Sequence, residues 1–277
     1  MSGVSILILA LDEETNIAAC IESCCWSDDI VVFDSYSTDR TPQIAVEKGA
    51  RLFQRTFDDY ASQRNAALSE VGFKYPWVLM VDADERTPAD LANEIRGAVA
   101  NCDSETVLFR MRRKDFFLGK WLRRSSGYPS WFGRLVRLGS VRIVRAVNEE
   151  YIADGKIEYL DSHLAHYPFN KGVEYWIARH NRYSTMESLA KLQSRASTVS
   201  VKAILGMDPI ARRRHLKHFV YRLPMRPVVI FLYLYVIRLG LLDGVPGMYF
   251  CALRASYELF IDLKVIELER RRGGLPV

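Results

Sequence analysis

The stretch Trp77-Val78-Leu79-Met80-Val81-Asp82-Ala83-Asp84-Glu85 decides the fold, because an apolar run with strand character is followed at once by three carboxylates. Open α/β sheets bind ligands at the carboxyl ends of their strands. Carboxylates at that position, together with substrate phosphates, suit Mg²⁺ or Mn²⁺. An acidic turn is also common as a solvated loop or helix cap, and Thr87-Pro88 resembles a helix start. The stretch alone therefore leaves the metal site open.

Two earlier segments end in the same way. Residues 4–10 form a short apolar run that closes on Asp12, Glu13 and Glu14, and residues 29–33 form another that closes on Asp34. A helical pattern separates the two runs, which is typical of parallel strands joined by right-handed crossovers. Three acidic strand ends at this spacing predict one ligand-binding edge in a parallel sheet.

The charge of the chain is distributed unevenly along its 277 residues. Residues 1–168 hold 20 Lys and Arg against 25 Asp and Glu, whereas residues 169–277 hold 18 against 8. With 49% apolar and 26% charged residues the composition is ordinary for a globular protein. We expect a ligand-binding domain over 1–168 and a basic extension over 169–277, whose charge suits an anionic membrane surface or nucleic acid.

The cysteine pattern favours a reducing compartment. The five cysteines are odd in number and form no Cys-x-x-Cys unit, so neither a disulfide framework nor a structural zinc site is supported. Residues 4–10 are too short for the apolar core of a signal peptide. We expect a cytoplasmic protein.

The basic extension contains two apolar runs, residues 228–237 and 239–253. The first is too short to cross a bilayer, which takes about 20 residues, and Asp243-Gly244 interrupts the second. Basic clusters at 212–214 and 270–272 flank them. We predict an interfacial or re-entrant helical pair at the inner face of the cytoplasmic membrane, with a buried hairpin or a homo-oligomer interface as an equally open alternative. The apolar runs argue against nucleic acid as the partner.

Four motifs, in this order, resemble those of family 2 glycosyltransferases, which have the GT-A fold. The first motif is residues 5–9 followed by 12–14, and the second is residues 30–34 followed by 37–41. The third is residues 63–68 and the fourth is residues 81–85. Parts of 119–168 also resemble the branch that adds sugars in lipopolysaccharide core and exopolysaccharide assembly. The resemblance implies an α/β GT-A domain, Rossmann-like with a mostly parallel central sheet, followed by a helical membrane-associating extension.

The resemblance also implies a nucleotide-sugar site. Asp34 would accept a hydrogen bond from the ring N–H of uracil, a role that suits an acceptor-only carboxylate. Arg134 and Arg137 alternate to one face of a predicted strand, where one of them can meet a diphosphate bidentately. For Arg64, a helix-surface charge is an equally open role. The residues implied in binding the nucleotide sugar are Ala10, Asp12, Glu13, Asp34, Arg64, Asp82 and Arg134.

Metal and base follow from the same resemblance. Asp84 would bind Mg²⁺ or Mn²⁺, and His166 is a candidate further ligand, although a structural histidine is the commoner role. Glu149 is the candidate base that deprotonates the acceptor hydroxyl, with Glu150 as a near competitor. Related chains often carry His-Glu where this one has Asn148-Glu149, and Asn cannot act as acid or base.

The long Gly- and aromatic-rich segment 116–132 predicts a functional loop. Lys120, Trp121 and Tyr128 are candidates for contacting the acceptor, since aromatic rings suit sugar faces, although such residues also serve as loop anchors. The resulting hypothesis is an inverting, metal-dependent sugar transfer from a nucleotide sugar, in the first instance a UDP-sugar, to a lipid-linked or lipopolysaccharide-type acceptor. The rivals are a nucleotidyltransferase, which usually needs a glycine-rich phosphate loop, and a non-catalytic nucleotide-sugar-binding membrane scaffold.

Overall fold

The computed structural model describes residues 3–144, 150–194 and 225–277. They form two compact units, one from Met1–Phe116 and Tyr128–Asn170, the other from Phe117–Gly127 and Lys171–Val277. The segment Phe117–Gly127, which falls within the predicted domain 1–168, is grouped with the C-terminal helices. Asp243 accepts the backbone N–H groups of Arg124 and Ser125 in this segment. Two predicted features, Glu149 and the basic cluster 212–214, lie outside the described residues.

The first unit is built on a mixed sheet with the strand order β3-β2-β1-β4-β8-β6-β11-β5. Strands β3, β2, β1 and β4 are parallel neighbours, β8 runs antiparallel between β4 and β6, and β6 is parallel to β11. A separate hairpin pairs β9 with β10. The strands are β1 Val4–Ala10, β2 Ile30–Asp34, β3 Arg51–Gln54, β4 Trp77–Asp82, β5 Glu85–Arg86, β6 Thr106–Phe117, β7 Lys120–Trp121, β8 Trp131–Arg137, β9 Val141–Val144, β10 Glu150–Ala153 and β11 Lys156–His166.

Helices cover both faces of this sheet. Side chains on both faces of β1 and β4 are therefore buried, and the two strands are continuous apolar runs in the sequence. Ile6 and Leu79 belong to the core on one side, and Leu7 and Met80 to the core on the other. Asp59 caps α3, since its carboxylate accepts the N–H groups of the first turn. The helices are α1 Ile17–Cys24, α2 Thr41–Glu47, α3 Tyr60–Glu70 and α4 Ala89–Asn101. The predicted α/β class with a mostly parallel sheet is confirmed.

Helices make up most of the second unit: α5 Gly172–Ser194, α6 Arg226–Leu232 with a π-helical turn Tyr233–Ile237, a 3₁₀ turn Gly240–Asp243, and α7 Gly244–Arg272. A buried ion network ties them together: Arg226 pairs with Glu258 and lies 3.4 Å from Asp262, which Lys191 contacts at 2.7 Å. Over the described part of the chain, no single helix has the length and hydropathy to cross a membrane. The pair Arg226–Ile237 and Gly240–Arg272, bent by 71°, passes that test only when taken together.

Candidate active site

The loops that follow β1 and β2 fasten one another. The backbone N–H of Asp12 donates to Ser37 Oγ at 2.7 Å, and Thr38 N–H donates to Asp12 Oδ1 at 2.7 Å. Glu13 N–H donates to Thr41 Oγ1 at 2.7 Å. Asp12 adopts φ +53°, a left-handed conformation that a non-glycine residue keeps only when its surroundings impose it. The two acidic strand ends therefore form one interlocked edge, as the sequence predicted.

Asp34, at the end of β2, is completely buried. Its Oδ2 accepts the backbone N–H of Ser37 and Gln54 Nε2, each at 3.0 Å, while the Ser37 hydroxyl donates to Oδ1. A carboxylate offers about four lone-pair positions, and these contacts use three of them. The remaining position is the one with which a nucleobase N–H would bond, and the base-reading role of Asp34 stays a prediction.

An ion network closes the end of β4. Arg64 Nη2, from α3, contacts Asp82 Oδ1 at 2.7 Å, and Arg134 Nη2, from β8, contacts Asp82 Oδ2 at 2.6 Å. Arg134 also contacts Glu85 Oε1 at 2.7 Å, and Glu85 Oε2 accepts the backbone N–H of Asp82 at 3.0 Å. Arg64 and Arg134, which the sequence proposed separately for nucleotide-sugar binding, thus both contact the third such residue, Asp82.

Charge compensation decides the protonation state of Asp82. Burial by itself would raise the pKa of the Asp82 carboxyl, but the guanidinium groups of Arg134 and Arg64 outweigh it and hold that pKa far below its usual range. Asp82 is therefore ionised at every physiological pH. It can orient cations and accept hydrogen bonds, but it cannot serve as a proton donor or base.

Asp84 and His166 face each other beside this network. His166 Nε2 lies 3.3 Å from Asp84 Oδ2, and His166 Nδ1 lies 2.6 Å from Asp115 Oδ1, which Arg113 Nε also contacts at 3.1 Å. Burial and Arg113 disfavour the imidazolium, yet Asp84 and the hydrogen bond to Asp115 prevail and raise the pKa of His166 to about 9. The structure thus brings together the two residues predicted as metal ligands. Because only a neutral imidazole ligates a metal, binding an ion there would release a proton from His166.

The donor set fits a divalent cation in part. A histidine that ligates a metal usually gives its second nitrogen to a carboxylate, as Nδ1 of His166 does to Asp115. Mg²⁺ and Mn²⁺ are commonly bound by one or two protein groups plus substrate phosphates. Across residues 3–144, 150–194 and 225–277, no group of three or more His, Cys, Asp or Glu side chains that could hold a metal is present. Asp84 and His166 would therefore share the ion with a diphosphate.

The remaining predicted residues are more scattered. Ala10 is buried, and its carbonyl accepts the N–H of Ser35 at 2.9 Å. Lys120 and Trp121 form β7 in the second unit, whereas the Tyr128 hydroxyl, in the first unit, lies 2.7 Å from His163 Nε2. The acceptor role of all three stays a prediction.

The sequence analysis did not predict that Arg113 and Asp115 belong to the network. It also did not predict that Glu85 anchors Arg134. Glu85 has no exposed surface, although it is the third carboxylate of an acidic turn and would ordinarily be solvated. For Glu85 the sequence contained one indication, the long apolar run directly before the acidic turn. The structure shows that a two-residue strand, β5, keeps this turn inside the sheet. Arg113 and Asp115 lie in a charged part of β6 that carries no motif.

Replacing Arg134 tests the structural side of this network. Arg134→Met leaves Glu85 buried with Arg113 at 3.4 Å as its remaining cation. We expect the free energy of unfolding in urea to fall by about 3 kcal/mol, since breaking a buried ion pair by removing one partner costs about 3–5 kcal/mol. Arg137→Met, on the same strand, is the control, because the Arg137 guanidinium donates to the Ser104 carbonyl and, among the residues that the structure describes, pairs with no buried carboxylate. Equal losses in both variants would contradict the assignment.

Comparison with known proteins supplies the family. The model of glycosyl transferase family 2 matches residues 5–145, which include β1, β2, β4 and their acidic ends. The chain belongs to this family. The α/β fold described above is the GT-A fold that this family membership implied, and the protein is a glycosyltransferase.

Individual relatives of this glycosyltransferase agree with that membership. It is 28% identical, over 200 residues, to the lipopolysaccharide core biosynthesis glycosyltransferase LpsC of Rhizobium meliloti, an alignment that covers 69% of this chain and 72% of the relative. It is 33% identical over 106 residues to an uncharacterized glycosyltransferase of Rickettsia conorii, covering 38% and 37%.

A solved structure is also similar in part. Glucosyl-3-phosphoglycerate synthase from Mycobacterium tuberculosis, in complex with Mn²⁺, UDP-glucose and phosphoglyceric acid, is 24% identical and aligns over 42% of this chain and 44% of that chain, with a TM-score of 0.34. The glycosyltransferase thus spans less than half of that solved chain.

Proposed function

We propose that this glycosyltransferase transfers a sugar from a UDP-sugar to a lipid-linked or lipopolysaccharide-type acceptor, with inversion at the anomeric carbon and dependence on Mg²⁺ or Mn²⁺. The observation that supports it best is the pairing of Asp84 with His166 at the carboxyl end of β4, 3.3 Å apart, beside the ionised Asp82. The acceptor class is suggested by the name of the Rhizobium meliloti relative, which acts in lipopolysaccharide core biosynthesis.

The chemistry divides into two requirements. Negative charge builds on the departing nucleoside diphosphate, and a divalent cation held by Asp84 and His166 would neutralise part of it. Arg134 and Arg64 are already paired with Asp82 and Glu85, so they add no net charge. They would act as guanidinium hydrogen-bond donors that the two carboxylates hold in one orientation. The acceptor hydroxyl must lose its proton as it attacks, which is the role proposed for Glu149. A single base without a partner nucleophile supports inversion.

Donor specificity is the direct test of this proposal. With each nucleotide sugar supplied in turn, with and without Mn²⁺, we expect hydrolysis and transfer from UDP-sugars in preference to GDP-sugars. Asp34→Asn should lower that preference by about tenfold, the worth of one hydrogen bond to a charged group. The measurement is release of the nucleoside diphosphate. Preference for a GDP-sugar would contradict the predicted hydrogen bond between Asp34 and uracil. Donor binding without turnover on any acceptor would favour the hypothesis of a non-catalytic scaffold.

We also propose that the second unit binds the anionic inner face of the cytoplasmic membrane. Large apolar side chains are exposed along the bent helical pair, far beyond the scattered ones that a monomer's surface ordinarily carries. Basic residues end α7 at Arg270, Arg271 and Arg272. The exposed apolar residues are Val228, Leu232, Tyr233, Val236, Ile237, Leu239, Leu241, Leu242, Val245, Met248 and Tyr249. A homo-oligomer is the alternative occupant of the same surface.

Vesicle flotation distinguishes the two occupants. We expect the protein to float with phosphatidylglycerol vesicles, more weakly at high salt because the attraction of basic residues is screened. Replacing Leu242 and Val245, which are 58% and 59% exposed, with Ser should weaken flotation at least tenfold, as each buried apolar side chain contributes about 1.5–3 kcal/mol. Val46→Ser, 58% exposed on α2, is the matched control. A stable oligomer that ignores vesicles would contradict the membrane proposal.

A further inference from the structure

One buried carboxylate of the second unit has no part in the chemistry described above. Asp243, at the end of the 3₁₀ turn before α7, is 3% exposed. Its Oδ2 accepts the backbone N–H of Arg124 at 2.9 Å, the backbone N–H of Ser125 at 2.8 Å and the Ser125 hydroxyl at 2.8 Å. Hydrogen bonds to an ionised acceptor are about twice as strong as neutral ones. Asp243 therefore fixes the segment Phe117–Gly127, which we call the acceptor loop, to the turn between α6 and α7.

The turn itself is built for close approach. A Cβ atom at Gly240 would lie 2.6 Å from the Leu234 carbonyl oxygen and 3.2 Å from Ser125 Cβ, and one at Gly247 would lie 2.4 Å from the Gly240 carbonyl oxygen. Real Cβ atoms essentially never come within 3.0 Å of another heavy atom. Only glycine fits at these two positions, and this allows the backbone of the turn to pack closely. The side chain of Asp243 is held by its three hydrogen bonds to Arg124 and Ser125.

The acceptor loop brings positive charge to this apolar turn. The side chains of Lys120, Arg123 and Arg124 are exposed, and in the part of the chain that the structure describes they form no ion pair. Lys120 Nζ lies 3.5 Å from the position that a Cβ would take at Gly244, the first residue of α7. Exposed apolar side chains follow on both sides of that glycine: Leu241, Leu242, Val245 and Met248.

An ammonium group beside exposed apolar side chains matches one kind of ligand, a phosphate carried on a hydrocarbon chain. Inorganic phosphate would use the cations but leave the apolar surface in water, and a neutral lipid would leave the cations unpaired. Phosphate and basic side chains attract one another strongly where water is partly excluded.

We propose that Asp243 is a positioning residue that holds the acceptor loop so that Lys120, Arg123 and Arg124 bind the head-group phosphate of a lipid-linked acceptor, while the exposed side chains of the turn at Gly240–Met248 contact its hydrocarbon chain together with the membrane that holds it. This deepens the proposed function, on which it rests, by naming the lipid phosphate as the recognised group. The transfer chemistry belongs to the first unit, so the two proposals can fail separately.

Hydrogen exchange measures the positioning role locally. In the intact chain, Asp243→Ala should speed exchange of the Arg124 and Ser125 amides by about ten- to hundredfold, because both lose a hydrogen bond to a charged group. Asp243→Asn, which keeps an acceptor oxygen, should restore part of the protection. Glu267→Ala, a carboxylate 40% exposed on α7, is the control. Unchanged amide exchange in Asp243→Ala would overturn the positioning role of Asp243. A uniform increase of exchange over the whole second unit in both Asp243 variants would overturn it as well.

Ligand binding is tested with geranyl phosphate, geraniol and inorganic phosphate. We expect only geranyl phosphate to slow exchange in both the acceptor loop and the turn. The triple replacement of Lys120, Arg123 and Arg124 by Gln, and separately Asp243→Ala, should weaken its binding at least tenfold, whereas Glu267→Ala should leave that binding unchanged. Equal protection by inorganic phosphate, or full binding to the triple variant, would overturn the site. A wild-type protein that hydrolyses no UDP-sugar would instead count against the proposed function.

Discussion

Asp84→Asn is expected to reduce turnover by about 10³-fold or more while the protein remains folded. Asp84 is one of two side chains that would hold the divalent cation, and charge stabilisation of a leaving diphosphate by a metal contributes several kcal/mol to the barrier, each 1.36 kcal/mol being tenfold in rate. The change keeps the size of the side chain, and Asp115 still holds His166. Steady-state transfer from a UDP-sugar, together with Mn²⁺ binding by calorimetry, checks both parts of the expectation.

The control for Asp84→Asn is Asp161→Asn, whose carboxylate is fully exposed. It should leave turnover and Mn²⁺ affinity unchanged. A wild-type enzyme that works equally well in the presence of a chelator would contradict the metal assignment, and so would full activity in Asp84→Asn. His166→Gln should weaken Mn²⁺ binding as well, since the replacement amide cannot reproduce the imidazole nitrogen held by Asp115.

The ligand-binding edge could be predicted because its determinants are local. Each of β1, β2 and β4 is a short apolar run with its acidic residues immediately after it, so the strand and its end are read from adjacent positions. The register then places Ala10 opposite Asp34, and Leu9 opposite Asp82. Buried parallel strands have little freedom to slip, because a one-residue shift would bring every side chain to the other face.

The contacts that complete the site could not be predicted, because they join residues far apart in the sequence. Glu85 and Arg134 are separated by 49 positions, and Asp115 and His166 by 51. β6 and β8 together carry five arginines and a single carboxylate, Asp115, and no local pattern indicates which partners these residues will meet. The strand order, with β8 inserted antiparallel between β4 and β6, decides it.

The same reasoning explains the placement of the acceptor loop. Its glycines and aromatic residues identified it as functional, but its partner Asp243 lies 118 positions from Ser125. In the sequence, Asp243-Gly244 indicated only an interruption of an apolar run. The structure gives that interruption a role, since the carboxylate that breaks the run is the one that receives three hydrogen bonds from the loop.

Glu149→Gln is expected to lower turnover by a factor of about 10²–10⁴, the usual contribution of a general base, with the affinity for the UDP-sugar unchanged. Glutamine keeps the size and polarity of the side chain but cannot take the proton of the acceptor hydroxyl. In the chain, Glu149 directly precedes β10, and its neighbour Glu150 begins that strand as an exposed residue paired with Val144.

Glu150→Gln is therefore the matched control, one position away and identical in chemistry, and it should change turnover by less than about threefold. Donor affinity measured by UDP-sugar titration separates loss of a base from loss of the site, because a base acts in the transition state and a structural residue affects binding as well. Equal losses in both variants would show that the pair holds the chain between β9 and β10. A loss confined to Glu150→Gln would transfer the role of base to that residue, which, unlike Asn148, can accept a proton.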